Sequence, residues 1–182
     1  MVIHDLHQAV AKAIEIVSDR IADLEVEFDE ACEENNKLKK RLPFFLTNEA
    51  HNDTEITNVD LMILKGNKVK LVCEIEESDI TPTRTFGKIF SVASAKMSKL
   101  KDGTRYNLDQ NGVFVQVLSS KKINKDNSKK ISQGFNIEKA INELLNSQCS
   151  WIKKYYLIYG DVNSFNEGND GFLKIEKIIK SL

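Results

Sequence analysis

Residues 57–77 read TNVDLMILKGNKVKLVCEIEE, and the fold turns on how this stretch doubles back on itself. Gly66 and Asn67 stand between two apolar runs and signal a hairpin, with strands expected at Asn58 to Leu64 and Val69 to Glu76. Side chains alternate along a strand, so Glu74 and Glu76 share a face. The place of Asp60 depends on register. An odd loop, such as Gly66 to Lys68, sets Asp60 opposite Glu74 and Leu61 opposite Cys73. One face then carries Val59, Leu61, Ile63, Leu71, Cys73 and Ile75, and the other carries Met62, Leu64, Val72 and all three acids. A two-residue Gly66-Asn67 loop instead puts Asp60 and the glutamates on opposite faces. The cleaner segregation of polarity favours the odd loop.

Upstream, Val10, Ile14, Val17, Ile21, Leu24, Phe28 and Ala31 recur at alternating spacings of four and three, which predicts one long helix over about residues 4–40. Such a stripe either packs on its own domain or forms a coiled-coil seam with a second copy. Pro43 closes the helical region, and a strand is expected at Phe44 to Asn48. Downstream, Thr81 and Pro82 read as the cap and first turn of a helix running to about residue 100, with Phe86, Ile89, Phe90, Ala93, Met97 and Leu100 as its core face.

Val113 to Leu118 is a nearly unbroken apolar run, as expected of a central strand covered on both sides, and the preceding helix makes a parallel crossover to the hairpin natural. Asn136 then reads as the cap of a helix carrying Ile137, Ile141, Leu144 and Leu145. Tyr155 to Tyr159 supplies a fifth strand, and a last helix is expected over about 171–182. The fold class is α/β (α+β), a mixed five-stranded sheet flanked by helices in a single domain over 1–182, its core at about 44–160.

Composition fits one core: 182 residues, 41% hydrophobic. Charged residues make up 29% and nearly cancel to −1, so any contact with nucleic acid must be local. Cys32, Cys73 and Cys149 are scattered and form neither a zinc cluster nor a disulfide framework. The N-terminus lacks the apolar core of a signal peptide and no stretch is long and apolar enough to span a bilayer, so a soluble, cytoplasmic protein is expected.

Three carboxylates gathered at one end of a partly apolar face repel one another unless a cation neutralises them. Oxygen ligands of this kind suit magnesium or manganese, which polarise a phosphoryl oxygen and activate water for phosphodiester hydrolysis. The alternative is an ordinary charged face of an edge hairpin.

The order of elements together with Asp60, Glu74 and Glu76 resembles the PD-(D/E)xK, or restriction-endonuclease-like, nucleases over about residues 20–160. The resemblance places the family's aspartate at Asp60, with Val59 in place of its proline, and its second acid at Glu74. It implies that Asp60, Glu74 and the Ile75 main-chain carbonyl hold Mg2+, with Mn2+ as a substitute. The family's lysine falls at Glu76, a Glu-x-Glu pattern that a minority of restriction endonucleases carry. Lys88 is the nearest replacement on a helix, but lies about 200° from Phe86 and is expected to point away from the core face. Members often add a glutamate from the first helix, for which Glu27 and Glu34 are the candidates.

The polar stretch 119–136 reads as a long connection whose Lys121, Lys122, Lys125, Lys129 and Lys130 are candidate phosphate contacts, as are Arg84 and Lys88. His4 and His7 read as surface residues, His51 has nothing to fix its direction, and Trp151 and the tyrosines read as packing. The expected function is metal-dependent cleavage of double-stranded DNA, as by a type II restriction endonuclease acting as a homodimer on a palindromic site. A repair or junction-processing nuclease of the same fold and an inactive binding or assembly module are the alternatives.

Overall fold

The structure is a computed structural model that describes residues 5–32, 40–77, 81–122, 128–147 and 150–182. Its elements in chain order are α1 (Asp5–Ser18), β1 (Leu24–Phe28), β2 (Leu42–Phe45), β3 (Glu55–Val59), β4 (Leu61–Lys65), β5 (Lys68–Glu76), α2 (Pro82–Ser94), β6 (Met97–Lys99), β7 (Arg105–Ser119), α3 (Ser128–Ser147), β8 (Ile152–Gly160) and α4 (Asp170–Ile179). Short 3-10 turns at Ser120–Lys122 and Val162–Phe165 complete the chain. The class is the expected mixed sheet flanked by helices, with eight strands among the described residues where five were anticipated.

The sheet runs β1-β4-β5-β7-β6-β2-β3, and β8 lies on β7. β5, β7 and β8 are parallel neighbours, as the helical crossovers require, and the remaining pairs are antiparallel. α1 and α4 cover one face with Val10, Ile14, Phe172 and Ile175, over Leu61, Ile63, Leu71, Cys73 and Ile75. α2 and α3 cover the other with Ile89, Val92, Ile141 and Leu145, over Met62, Leu64, Val72 and Phe114. Val59 belongs to this second face, not to that of Cys73, because the strand bends at Asp60.

The long first helix stops early. Asp23 adopts the left-handed region at φ 67°, and from there Leu24, Val26 and Phe28 alternate with Glu25 and Glu27 as the edge strand β1. The earlier part of the stripe is buried in the chain's own core, so it forms no coiled-coil seam. Met97 lies in a strand and Leu100 just beyond it, neither in α2, and Asn136 lies within α3 rather than at its cap. The Thr81 cap does form, its hydroxyl accepting from the Arg84 amide at 3.3 Å.

Both readings of the hairpin loop hold in part. The turn is the two-residue Gly66-Asn67, pairing Lys65 with Lys68 and Leu64 with Val69. A bulge at Lys70 then advances the register by one, so that Ile63 faces Leu71 and Leu61 faces Cys73. The Lys70 ammonium lies 2.8 Å from the Asp109 carboxylate, where β7 has its own irregularity between Leu108 and Val113.

At the end of that irregularity, Gly112 lets β7 pass under Trp151. A Cβ on Gly112 falls 2.3 Å from Trp151 Cε3. The indole is fixed by its bond to the Val92 carbonyl at 2.8 Å and by stacking on Phe44 at 6.3 Å. Gly112→Ala is therefore expected to lower stability by about 1–3 kcal/mol in urea unfolding, through displacement of the ring. Among the described residues, no helix is long and apolar enough to cross a membrane.

Candidate functional site

Asp60 occupies the bend that separates β3 from β4. Its side chain leaves the ladder and Oδ2 accepts the Ile75 amide at 2.6 Å, while its carbonyl accepts from the Asp29 amide at 2.9 Å. The acid is thus built into the backbone of the neighbouring strand. Ile75 was expected to offer its carbonyl to a metal; the contact the structure makes is from its amide to Asp60.

Glu74 sits on β5 toward α2 and is only 4% exposed. Its Oε2 accepts from Lys88 Nζ at 2.9 Å, whereas Oε1 is buried without a hydrogen-bond partner among the described residues. Burial first, and then repulsion from Asp60, push its carboxyl up to about 8 against the attraction of Lys88. Asp60 is also raised by burial, opposed by His7, the Ile75 amide and Lys88. Glu76 adds to the repulsion on Asp60 and lies 3.4 Å from Arg84. The three acids named from sequence therefore do share one electrostatic neighbourhood.

Lys88 corrects an expectation. The buried side of α2 is Thr85, Ile89 and Val92, with Phe90 outside and 46% exposed. Lys88 follows Thr85 by three and precedes Val92 by four, so it lies on the buried side and reaches inward to Glu74. Burial pulls its ammonium down, but Glu74, Asp60 and Glu76 hold it above the usual lysine value. It is engaged with the acids and is not a free phosphate contact.

The acid that joins from the first part of the chain is Asp29, at the end of β1. Burial and then Asp60 push its carboxyl up to about 6, against hydrogen bonds from the Ala31 and Cys32 segment. Glu27 is instead held by the Lys40 ammonium and by the Tyr106 hydroxyl at 3.1 Å. Glu34 and Lys125 lie outside the described residues.

His7, read from sequence as a surface residue, is 8% exposed and belongs to this site. Its Nδ1 lies 2.9 Å from Glu77 Oε1, and its Nε2 lies 3.7 Å from Asp60 Oδ2. The same Glu77 oxygen accepts the Leu6 and His7 amides at 3.1 and 3.3 Å, pinning the start of α1 to the end of β5. Burial pushes Glu77 up, but the His7 ring and these amides hold it below the usual carboxylate range.

Of the stretch 119–136, the described residues belong to regular elements: Lys121 and Lys122 lie in a 3-10 turn, and Lys129 and Lys130 in α3. Lys121 and Lys129 are exposed. His51 is exposed beside Glu49, and His4 lies outside the described residues.

Among the described residues, no three His, Cys, Asp or Glu side chains already converge at metal-ligand spacing. Asp60 is turned to the Ile75 amide, and one oxygen of Glu74 to Lys88. The donor chemistry nonetheless suits a hard divalent cation. Asp60 and Glu74 repel one another and are both pushed toward the protonated form, and one Glu74 oxygen is buried with no donor among the described residues; such oxygens are donors that a bound cation would hold ionised. No protein-family model, curated protein or solved structure matches the chain.

Proposed function

We propose that this protein is a metal-dependent DNA endonuclease of the restriction-endonuclease-like type, in which Asp60 and Glu74 hold the cation and Lys88 stands in for the lysine absent at position 76. The observation that carries this reading is the Lys88 ammonium at 2.9 Å from Glu74, with Asp60 adjacent and Glu74 Oε1 unsatisfied. Two acids and an ammonium on rigid, neighbouring elements form the charge pattern that phosphodiester hydrolysis uses. A magnesium ion bound there, or manganese in its place, supplies Lewis acidity toward a phosphoryl oxygen and a water of lowered pKa.

The rest falls to the chain. Lys88 orients the attacking water and stabilises the charge that develops on phosphorus-bound oxygen. Arg84 holds Glu76 and lies half exposed at the rim, where a phosphate of the duplex can approach. Lys121 and Lys129 are further exposed cations for the backbone. Symmetric cutting of a palindromic duplex calls for a homodimer, which we place in the cytoplasm.

Incubating the protein with plasmid DNA and magnesium tests the proposal: discrete fragments identify a restriction endonuclease, and a smear a less specific repair-type nuclease. DNA binding without cleavage identifies a binding module instead. Lys88→Met is expected to slow cleavage by about 10²-fold, with partial recovery in Lys88→Arg, as measured in single turnover. Full activity in Lys88→Met would remove the lysine from the mechanism.

A further inference from the structure

The parallel strands β5, β7 and β8 end at one rim of the sheet, where Glu76 lies beside Leu118 and Leu118 beside Tyr159. Neighbouring strands stand about 4.8 Å apart, so the end of β8 is about 10 Å from the acids. Among the described residues β7 is the only strand that pairs with β8, and α3 plugs most of the outer side. The Asn142 side chain accepts from the Tyr155 amide and donates to the Tyr155 carbonyl, each at 2.9 Å, and Glu138 accepts from the Leu157 amide at 3.1 Å. Phe135 and Ile131, three and seven residues before Glu138, continue this stripe of α3 toward the rim. There α3 runs close against β8, since a Cβ on Gly134 falls 2.3 Å from the Tyr159 hydroxyl. Phe135 nevertheless stands out at 66% exposure, the most of any large apolar side chain among the described residues.

The charges around this ring are mostly positive. Lys139 follows it by one helical turn, Lys174 of α4 is close enough to Glu138 to favour its ionised form, and Lys121 lies in the turn that leaves β7 beside the end of β8. All three lysines are exposed. Of the acids nearby, Glu138 is bound to the β8 edge and Glu143 lies 4.0 Å from Lys139. A second copy of the chain seated here would set lysines against lysines, and the plugged edge leaves too short an open run for an added strand. An aromatic face among cations fits a polyanion whose bases are free to stack on it. We infer that Phe135 is the stacking platform for an unpaired base of single-stranded DNA, whose phosphates meet Lys121, Lys139 and Lys174. The inference rests on the DNA reading above and names its substrate class: DNA with a single-stranded segment beside the bond to be cut, as repair and junction intermediates have. A closed duplex keeps its bases stacked on one another and offers none to a ring that projects from a helix.

Fluorescence anisotropy of the full chain with a labelled fifteen-nucleotide oligothymidylate, and with a blunt duplex of the same length, reads binding apart from cleavage when a chelator is present and salt is low. The single strand is expected to bind about tenfold more tightly than the duplex. Phe135→Ala and Phe135→Leu are each expected to weaken it about tenfold and Phe135→Trp to preserve it, a pattern that follows the ring and not apolar area. The ring is exposed, so thermal melts of these variants should match the native one. Lys139→Gln and Lys174→Gln are each expected to lower the slope of log affinity against log salt by about 0.7. No binding of the oligothymidylate, equal or tighter binding of the duplex, or native affinity in Phe135→Leu overturns the inference. So does polyglutamate that competes as strongly as unlabelled oligothymidylate, since it assigns the surface to an acidic polypeptide. Plasmid cleavage without binding of the single strand strikes this inference alone, and binding without cleavage strikes the metal centre alone.

Discussion

Asp60→Asn is expected to lower metal-dependent DNA cleavage by about 10³-fold or more while the protein stays folded. The substitution is nearly isosteric, and its amide oxygen still accepts from the Ile75 amide, so the bend between β3 and β4 keeps its anchor. What is lost is the negative charge that pushes Glu74 and Asp29 up. Relief of that repulsion means the variant should melt no earlier than the native protein, which separates a chemical defect from a folding one. Single-turnover plasmid cleavage and a thermal melt on the same samples make the comparison. A variant that cuts at the native rate would place the metal elsewhere.

The second large effect is on stability. Burial, with repulsion from Asp60, pushes the Glu74 carboxyl up to about 8 from its ordinary 4.5 and that of Asp29 up to about 6 from 3.8. The folded protein therefore holds protons that the unfolded chain has released. Stability is expected to be highest near pH 5 and to fall as pH rises through 6 and then 8 in metal-free protein. The Glu74 shift corresponds to an upper bound on the order of 5 kcal/mol. Glu77 is shifted the other way, so its contribution is lost only as pH falls through the carboxylate range. Lys88 is held above its ordinary value, and its contribution is kept until pH rises past about 10.5. Urea unfolding at pH 5.5, 7 and 8.5 in the presence of a chelator measures the slope. Glu74→Gln should flatten most of it, and a divalent cation should restore stability at pH 8.5 by mass action. A native profile that rises from pH 5.5 to 8.5 would show that Glu74 ionises without hindrance.

The parallel crossover and the hairpin were legible because turn residues and apolar runs mark them directly. Asp60, Glu74 and Glu76 were legible because acids are conspicuous in an apolar strand. β1 was hidden because Leu24 and Phe28 satisfy a helical spacing, while Leu24, Val26 and Phe28 equally satisfy an alternating one; only Asp23 in the left-handed region decides between them. The inward direction of Lys88 is hidden in the sequence because Phe90, on the exposed side, satisfies the spacing of a core face with Phe86 and Ile89. Phe86 packs partly buried against the core and stacks at 6.2 Å on the exposed Phe90, while the small Thr85 marks the fully buried side of α2. His7 did leave a signal, since it precedes Val10 by three and Ile14 by seven and so lies on the buried stripe of α1. Its partner Glu77 is seventy residues away, a proximity that local spacing does not encode. Asp29 was passed over because the helix expected there put Glu27 and Glu34 in its place.

The bulge at Lys70 works as a phase corrector between the two ends of the β4–β5 hairpin. Without the extra residue, the tight turn would carry Glu74 and Glu76 to the side of α1 and α4 and swing Cys73 and Ile75 toward α2. The ion pair with Asp109 that accompanies the bulge ties this correction to β7. Turn length and chemistry are thereby inherited as one unit: a hairpin longer or shorter by one residue keeps its charge beside Lys88 only if the kink disappears with it.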